Sequence, residues 1–467
     1  MTIMKNYDVL VIGTGSGMSI AEAALNREME VAVVESGPLG GTCLNRGCIP
    51  SKMVIYPADV INIIREAGKL GIKASIEEID FAHIMERSAK MVEEDVGHME
   101  DGVRHAHGLT MYRDVGEFVS DYIMEVAGET IKAENIFIVS GARPLIPPIE
   151  GLEEVGYLTS RNVWDIRERP ESIIIVGGGF VAVEFAHFFS SVGSEVTLLS
   201  RSPRLIKFTE PEVSELLGRE MGTRMDIHYN VEAVEARKSG GLKEIATKNK
   251  ITGETRRFRA EEIMIAAGRR SNADLLKPEK TGVETDRRGY IVVNEYLETS
   301  KPRIWAFGDA IGKHMFKHVA NHEAGIAWNN FTHQHKETAD YSAVPYAVFT
   351  HPQVAGVGMN EQQAVDAGHD ILIGSYDYAN TAKGAAMGVG EAFVKIVIDA
   401  ATYKILGGSI IGPYAPILMQ EVINAMNTAD GTGDSIHKAM YIHPAVPEVV
   451  QRAFYNLRRP GNAHEHH

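Results

Sequence analysis

Two cysteines are the whole thiol inventory of this 467-residue chain, and four residues separate them. They lie in Gly40-Gly41-Thr42-Cys43-Leu44-Asn45-Arg46-Gly47-Cys48-Ile49-Pro50-Ser51-Lys52, shortly after a glycine-rich turn and an acidic residue. A thiol pair so placed suits electron transfer by dithiol–disulfide exchange. As a structural staple it would do little, because a bridge closing so short a loop removes little entropy from the unfolded chain. In a reducing compartment such a pair stays reduced unless it cycles during catalysis.

Electron exchange needs a carrier, and two nucleotide-binding units can be read. The first is the apolar strand Tyr7-Asp8-Val9-Leu10-Val11-Ile12, the turn Gly13-Thr14-Gly15-Ser16-Gly17-Met18, a helix through Ala21 and Leu25, and a second strand ending at Glu35. Glycines there let backbone amides approach a pyrophosphate at the helix N-terminus. Glu35 lies 20 residues after Gly15, the place for a ribose acceptor. Met18 stands where the fingerprint has its third glycine, which implies altered helix–strand packing.

The second unit is Ser172 to Val176, then Gly177-Gly178-Gly179-Phe180-Val181-Ala182, a helix, and the strand Glu195 to Leu199. That strand ends on Ser200-Arg201-Ser202-Pro203-Arg204 and not on a carboxylate. A carboxylate would favour NADH and repel a 2′-phosphate. Arg201 and Arg204, with Lys207, suit that phosphate, so NADPH is expected. The bland alternative is that these are solvated arginines and NADH is used.

Other elements frame the two units. Ile136 to Arg143 and Ile263 to Arg270 are apolar strands ending at Gly141 and Gly268, so the halves read as duplicated architecture. Pro147-Pro148 and a charged stretch near residue 170 mark the crossing between units. After Tyr341 the pattern changes to strands at 347–349 and 393–398 and a helix at 416–426, a separate α+β domain. The expected limits are 1–150 and 271–342 for the first dinucleotide domain, 151–270 for the second, and 343–467 for the C-terminal domain. Composition agrees with an α/β protein: 44% hydrophobic, 23% charged and 45 glycines. A net charge of −15 argues against nucleic acid or anionic lipid as a main partner. No apolar leader or bilayer-spanning run is present, so a cytoplasmic setting is the expectation. The terminal Ala463-His464-Glu465-His466-His467 reads as a tail, and no metal site is expected.

These motifs together resemble the class I pyridine nucleotide–disulfide oxidoreductases, a family that includes dihydrolipoyl dehydrogenase, glutathione reductase and mercuric reductase. The carriers are residues 40–52, residues 177–184, Thr299 to Asp309, Val348-Phe349-Thr350-His351-Pro352-Gln353, and His443-Pro444-Ala445-Val446-Pro447-Glu448. The resemblance implies two Rossmann-like domains, for FAD and NAD(P), and a dimerisation domain. It implies FAD held by Gly13, Gly15, Gly17, Glu35, Gly41, Thr42, Lys52, Gly116, Ser140, Gly141, Asp309, Met315, Phe316, Lys317 and His318. NAD(P) would be held by Gly177, Gly179, Phe180, Ala182, Glu184, Arg201, Arg204, Lys207 and Gly268, with Phe180 covering the nicotinamide pocket. Glu184 would pair with Lys52 near the flavin. Cys43 and Cys48 would form the redox disulfide, with Cys48 toward the flavin and Cys43 as the exposed thiol that attacks substrate. His443, oriented by Glu448, would be the acid–base group, supplied by the partner subunit of a homodimer.

The substrate is less constrained. The helix after the first turn lacks the arginine of glutathione reductases, and the C-terminus lacks the vicinal cysteines of mercuric reductases. Ser200 departs from the glutamate usual in dihydrolipoyl dehydrogenases. Gly178 to His187, Lys317 to Ala324 and His443 to Val450 resemble mycothione reductases. The expected function is therefore an NADPH-dependent reductase of a low-molecular-weight disulfide. Dihydrolipoyl dehydrogenase is the alternative; a flavin NAD(P)H oxidase or transhydrogenase and a non-catalytic redox sensor are alternatives of other classes.

Overall fold

The computed structural model describes residues 4–461, so the expected histidine tail lies outside the described residues. Strands β1 (Lys5–Ile12), β2 (Val31–Val34), β3 (Leu109–Tyr112), β4 (Glu117–Ser120), β5 (Ile123–Val126) and β6 (Glu129–Ile138) form one sheet in the order β3-β2-β1-β6-β5-β4. The β1, β2 and β3 strands and the β1–β6 pair run parallel, with Ile12 opposite both Val34 and Ile138. A parallel sheet is covered on both faces, which is why these strands read as continuous apolar runs. Leu10, Ile12, Val34 and Ile136 pack on one side; Val9, Val11, Val33 and Phe137 pack on the other with helix α1 (Met18–Leu25). Helices α2 (Gly41–Arg46), α3 (Cys48–Glu66) and α4 (Phe81–His105) fill the long excursion between β2 and β3.

Beyond β7 (Ala142–Pro144) and the short α5 (Leu152–Val155), the second unit repeats this scheme. Its sheet joins β8 (Ser172–Val176), β9 (Glu195–Leu199), β10 (Asp226–His228) and β14 (Glu262–Ile265) in the order β10-β9-β8-β14. Both neighbours of β8 are parallel to it, as both neighbours of β1 are in the first sheet. Helices α6 (Phe180–Ser191) and α7 (Pro211–Gly222) cover one face, and the antiparallel meander β11 (Val231–Ser239), β12 (Leu242–Asn249), β13 (Thr255–Ala260) covers the other. The chain then returns. β15 (Arg269–Ser271) pairs with β7, β16 (Ile304–Ala306) joins β6 of the first sheet, and α8 (Lys317–Thr332) packs on that sheet beside α1.

A C-terminal sheet, β17 (Pro345–Val348), β18 (Val354–Gly358), β21 (Ile405–Ile411), β20 (Phe393–Asp399) and β19 (Ile371–Asp377) in spatial order, packs on helices Ala415–Met426 and Glu448–Tyr455. The sequence places a strand at 347–349, yet β17 stops at Val348. The Phe349 amide leaves the ladder because it donates to the Glu184 carboxylate at 3.0 Å.

The structure also explains Met18. Gly17, one residue earlier, performs the close packing expected of the fingerprint's third glycine: a Cβ there would lie 2.3 Å from the Gly13 carbonyl oxygen and 2.8 Å from Val11 Cγ1. Met18 is then free to pack as an ordinary side chain. Gly13 is doubly constrained, by φ of 106° and by the Val139 carbonyl oxygen 2.3 Å from where a Cβ would sit. Gly13→Ala is expected to destabilise the protein by about 2–4 kcal/mol, from left-handed strain plus a backbone clash. Thermal unfolding checks this, and an unchanged Tm would refute the packing account.

Candidate active site

The first glycine turn is held by its acidic reader. The Thr14 amide and hydroxyl donate to Glu35 Oε2 at 3.0 and 2.7 Å, and the Gly37 amide donates to Oε1 at 2.9 Å. A carboxylate has about four acceptor sites, so capacity for a ribose hydroxyl remains. The Glu35 amide donates to the Tyr112 carbonyl, bringing residues 113–116 alongside. Gly116 is buried there against Met124, whose sulfur would lie 2.4 Å from a Cβ, so a larger residue would require the methionine to move.

Three further segments converge on the turn. A Cβ on Gly41 would sit 2.9 Å from Gly15 Cα, so the start of α2, Gly41 and Thr42, lies against it. Lys317 Nζ donates to Ser16 Oγ at 3.0 Å, which brings Met315, Phe316 and the head of α8 to the same place. Asp309 pairs with Arg269 at 3.2 Å; burial pushes its carboxyl up while Arg269 opposes the shift. The Gly308 turn before it is held by buried Glu323, which accepts from the Gly308 amide at 2.7 Å.

Two observations test whether this cradle fits FAD. A Cβ on Gly15 meets nothing within 4 Å, so that face of the turn is open to a ligand. The buried Ser140 hydroxyl, beside left-handed Gly141, lacks a hydrogen-bond partner. An open glycine amide face and an orphaned buried hydroxyl fit a flavin dinucleotide. His318 departs from the expectation. Its Nε2 is engaged by the Pro345 carbonyl at 2.9 Å, which assigns the imidazole to the junction with the C-terminal domain.

The thiols sit where two helices meet. Cys43 lies within α2, and Cys48 opens α3 after Gly47. Both are free thiols, the reduced form of the expected pair. A hydrogen bond from Cys43, helped by the Lys52 charge and opposed by burial, pulls the Cys48 thiol down to about 6. The same bond, with burial, pushes the Cys43 thiol up, and Lys317 opposes that. Within the single chain Cys48 is exposed and Cys43 half-buried. The turn at Gly47 is the reason. It lays its backbone against Cys43, with the Cys43 Cα 3.4 Å from where a Gly47 Cβ would be, and leaves Cys48 open at the head of α3.

One turn along α3, Lys52 Nζ meets both oxygens of Glu184 at 2.9 and 3.0 Å. Glu184 is 6% exposed, and the Phe349 amide supplies its second donor. The Phe349 ring lies 4.4 Å from Lys52 Nζ, in cation–π contact. Sequence reading gave Phe349 and Glu323 no role, although both lie in the stretches that carry the family resemblance.

On the other side of α6, Gly177 has φ of 148° and abuts the Ala266 carbonyl, just before left-handed Gly268. Gly179 is open, and buried Ala182 packs in the first turn of α6. Phe180 opens that helix with its ring centroid 6.2 Å from that of Phe316. Ser200 is fully buried and bonds twice to Ser202, so it shapes the turn and leaves recognition to its neighbours. Arg201 lies 3.8 Å from Glu232, both exposed. Arg204 and Lys207 carry no ion pair among the described residues.

The His443–Glu448 pair, expected to serve as acid and base, makes its contacts within the C-terminal region. His443 Nδ1 bonds Glu448 Oε1 at 2.9 Å, and the Ala445 amide donates to Oε2 at 3.0 Å. The imidazole bond and the amide hold the Glu448 carboxyl below the usual range. His443 is 70% exposed and makes no hydrogen bond to either cysteine of its own chain. Met440 and Ile442 beside it are exposed as well.

Residues 7–324 match the family model described as pyridine nucleotide-disulphide oxidoreductase, and residues 344–454 match the dimerisation domain of that family. The chain is 37% identical to mycothione reductase of Mycobacterium tuberculosis over 97% of its own length and 100% of that protein. It is 31% identical to dihydrolipoyl dehydrogenase of Chlamydia trachomatis, over 95% of each chain. It is 32% identical to mercuric reductase of Staphylococcus aureus, over 88% of this chain and 75% of that one. A solved Cu(II) complex of the HOCl-induced flavoprotein disulfide reductase RclA from Escherichia coli superposes with a TM-score of 0.85 at 25% identity, covering 97% and 99% of the two chains. No helix among the described residues is long and apolar enough to cross a membrane. The relatives are flavoprotein oxidoreductases acting on sulfur groups with NAD(P)H, and the chain belongs to their family, the pyridine nucleotide-disulfide oxidoreductases.

Proposed function

We propose that this enzyme is an NADPH-dependent reductase of a low-molecular-weight disulfide, of the mycothione reductase kind. The observation that carries the reading is the unequal thiol pair. Cys48 opens α3 one turn before Lys52; a hydrogen bond from Cys43 and the Lys52 charge lower the Cys48 thiol, and the same bond, with burial, raises Cys43. Similarity to mycothione reductase along the whole chain supports the substrate class. Residues 1–150 and 271–342 form the flavin domain in this reading, 151–270 the NAD(P) domain and 343–467 the dimerisation domain.

Bound FAD would supply the two-electron relay between nicotinamide and the Cys43–Cys48 pair. The remaining chemistry belongs to the chain. His443 of the opposing subunit takes the Cys43 proton, and the Cys43 thiolate attacks one sulfur of the substrate disulfide. The leaving thiolate takes that proton from His443, and a mixed disulfide with Cys43 remains. The Cys48 thiolate then attacks Cys43, closing the Cys43–Cys48 disulfide and releasing the second half of the substrate as a thiolate that is protonated by solvent. Glu448 holds the imidazole through Nδ1 and leaves Nε2 to serve as the proton carrier. Exposed Met440 and Ile442, next in sequence to His443, offer apolar surface that a second copy would cover.

Substrate choice is tested by offering mycothiol disulfide, glutathione disulfide and dihydrolipoamide to the purified holoenzyme. The expected outcome is NADPH-dependent turnover of mycothiol disulfide; faster NAD-dependent oxidation of dihydrolipoamide would overturn the assignment. Arg204→Gln is expected to raise the KM for NADPH about tenfold and leave that for NADH unchanged, the effect of losing one charge-assisted contact. Equal effects on both nucleotides would remove the 2′-phosphate role. Thiolate absorbance of the reduced protein should fall as pH drops through about 6, where Cys48 gains its proton. Cys43→Ala should move that midpoint toward the ordinary thiol value of about 8.5.

A further inference from the structure

The helix carrying Cys48 and the helix carrying Phe180 and Glu184 meet along a seam that is polar in the middle of an apolar core. Around the seam, Val54, Ala58, Ile61, Val183, Ala186 and Phe188 are buried. Within it, three polar pairs recur along the two helices: Lys52 with Glu184, Asp59 with His187 at 3.0 Å, and Asn62 with Ser191 at 2.8 Å. On α3 these residues fall at i, i+7 and i+10; on α6 they fall at i, i+3 and i+7. Both spacings keep one helical face.

His187 is fully buried, and the family chemistry gives it no role. Its protonation is fixed by its neighbours. The Arg224 guanidinium, which can only donate, approaches Nδ1 at 3.3 Å, so Nδ1 accepts and Nε2 carries the hydrogen donated to Asp59. Burial lowers the imidazole, in keeping with a neutral ring. Arg224 also donates to the His351 carbonyl at 2.6 Å and lies 3.4 Å from Asn62 Oδ1. His351 Nε2 in turn meets Glu66 at 2.9 Å. The turn that contains His351 begins with Phe349, whose amide and ring hold Glu184 and Lys52.

We propose that His187 is a positioning residue: with Asp59 and Arg224 it locks the register of α3 against α6 and of the Phe349–His351 turn, and so holds Lys52 where it stabilises the Cys48 thiolate. A slip of either helix past this seam would leave buried polar groups unpaired, in addition to disturbing the apolar packing around it. The inference rests on the reading of Lys52 and Cys48 given above.

The test uses the Cys43→Ser holoenzyme, in which Cys48 is the single cysteine and a hydroxyl still occupies the donor position. Thiolate absorbance and alkylation rate against pH then report Cys48 alone. His187→Leu in this background is expected to raise the Cys48 midpoint by about one pH unit, through a loosened Lys52. His187→Gln, which can keep a donor toward Asp59, is expected to restore most of it. Should His187→Leu fail to fold, Asp59→Ala at the partly exposed edge of the seam is expected to give an upward shift in the same sense. An unchanged midpoint in a folded His187→Leu or Asp59→Ala protein, whatever its Tm, overturns the positioning role. A midpoint already near 8.5 in the Cys43→Ser parent would overturn the Lys52–Cys48 reading itself and not the seam.

Discussion

Glu184 brings a carboxylate into a helix interface where water scarcely reaches it, and two groups donate to it: Lys52, which meets both oxygens, and the Phe349 amide. Removing Lys52 would leave the Glu184 carboxylate in the helix interface without its countercharge. That constraint reaches every part of the site. Lys52 lies four residues beyond Cys48 on α3, and Glu184 lies four beyond Phe180 on α6. The pair therefore ties the thiol helix α3 to α6. Through Phe349 it also fixes the entry of the C-terminal domain, which carries the acid–base pair.

The thiol chemistry depends on that tie. Two thiols in hydrogen-bonding contact share one proton unequally, and the nearby cation decides which sulfur keeps the negative charge. Lys52 beside Cys48 and the Cys43 bond both favour a thiolate at Cys48. The remaining proton on Cys43 has to leave before that sulfur can attack a substrate. Among the described residues its hydrogen-bond partner is Cys48 and no histidine reaches it, whereas the exposed His443 is already oriented by Glu448. The proposed mechanism therefore draws the base from a second copy, in keeping with the match of residues 344–454 to the family's dimerisation domain.

Much of this was legible in the sequence because it is local. The glycine turns, the cysteine pair and His443 with Glu448 five residues later all declare themselves within short stretches. The α/β duplication was legible too, since parallel strands covered on both faces leave continuous apolar runs. The rest depends on distant segments meeting. Asp59, His187, Arg224 and His351 come from four separate elements, and each alone reads as an ordinary polar residue. Phe349 was placed in a strand because nothing nearby in the sequence shows that Glu184 draws its amide away. The sheltering of Cys43 depends on how Gly47 folds α2 onto α3, which the spacing of the cysteines leaves open.

The central claim is that electrons pass from NADPH to a Cys43–Cys48 pair whose Cys48 rests as a thiolate, and from there to a disulfide. Anaerobic reduction of the holoenzyme with NADPH, followed by absorbance, tests it most directly. A long-wavelength thiolate–flavin band should appear on reduction and disappear when a substrate disulfide is added. Full bleaching of the flavin with no such band, or a band that persists in Cys48→Ser, would contradict the account.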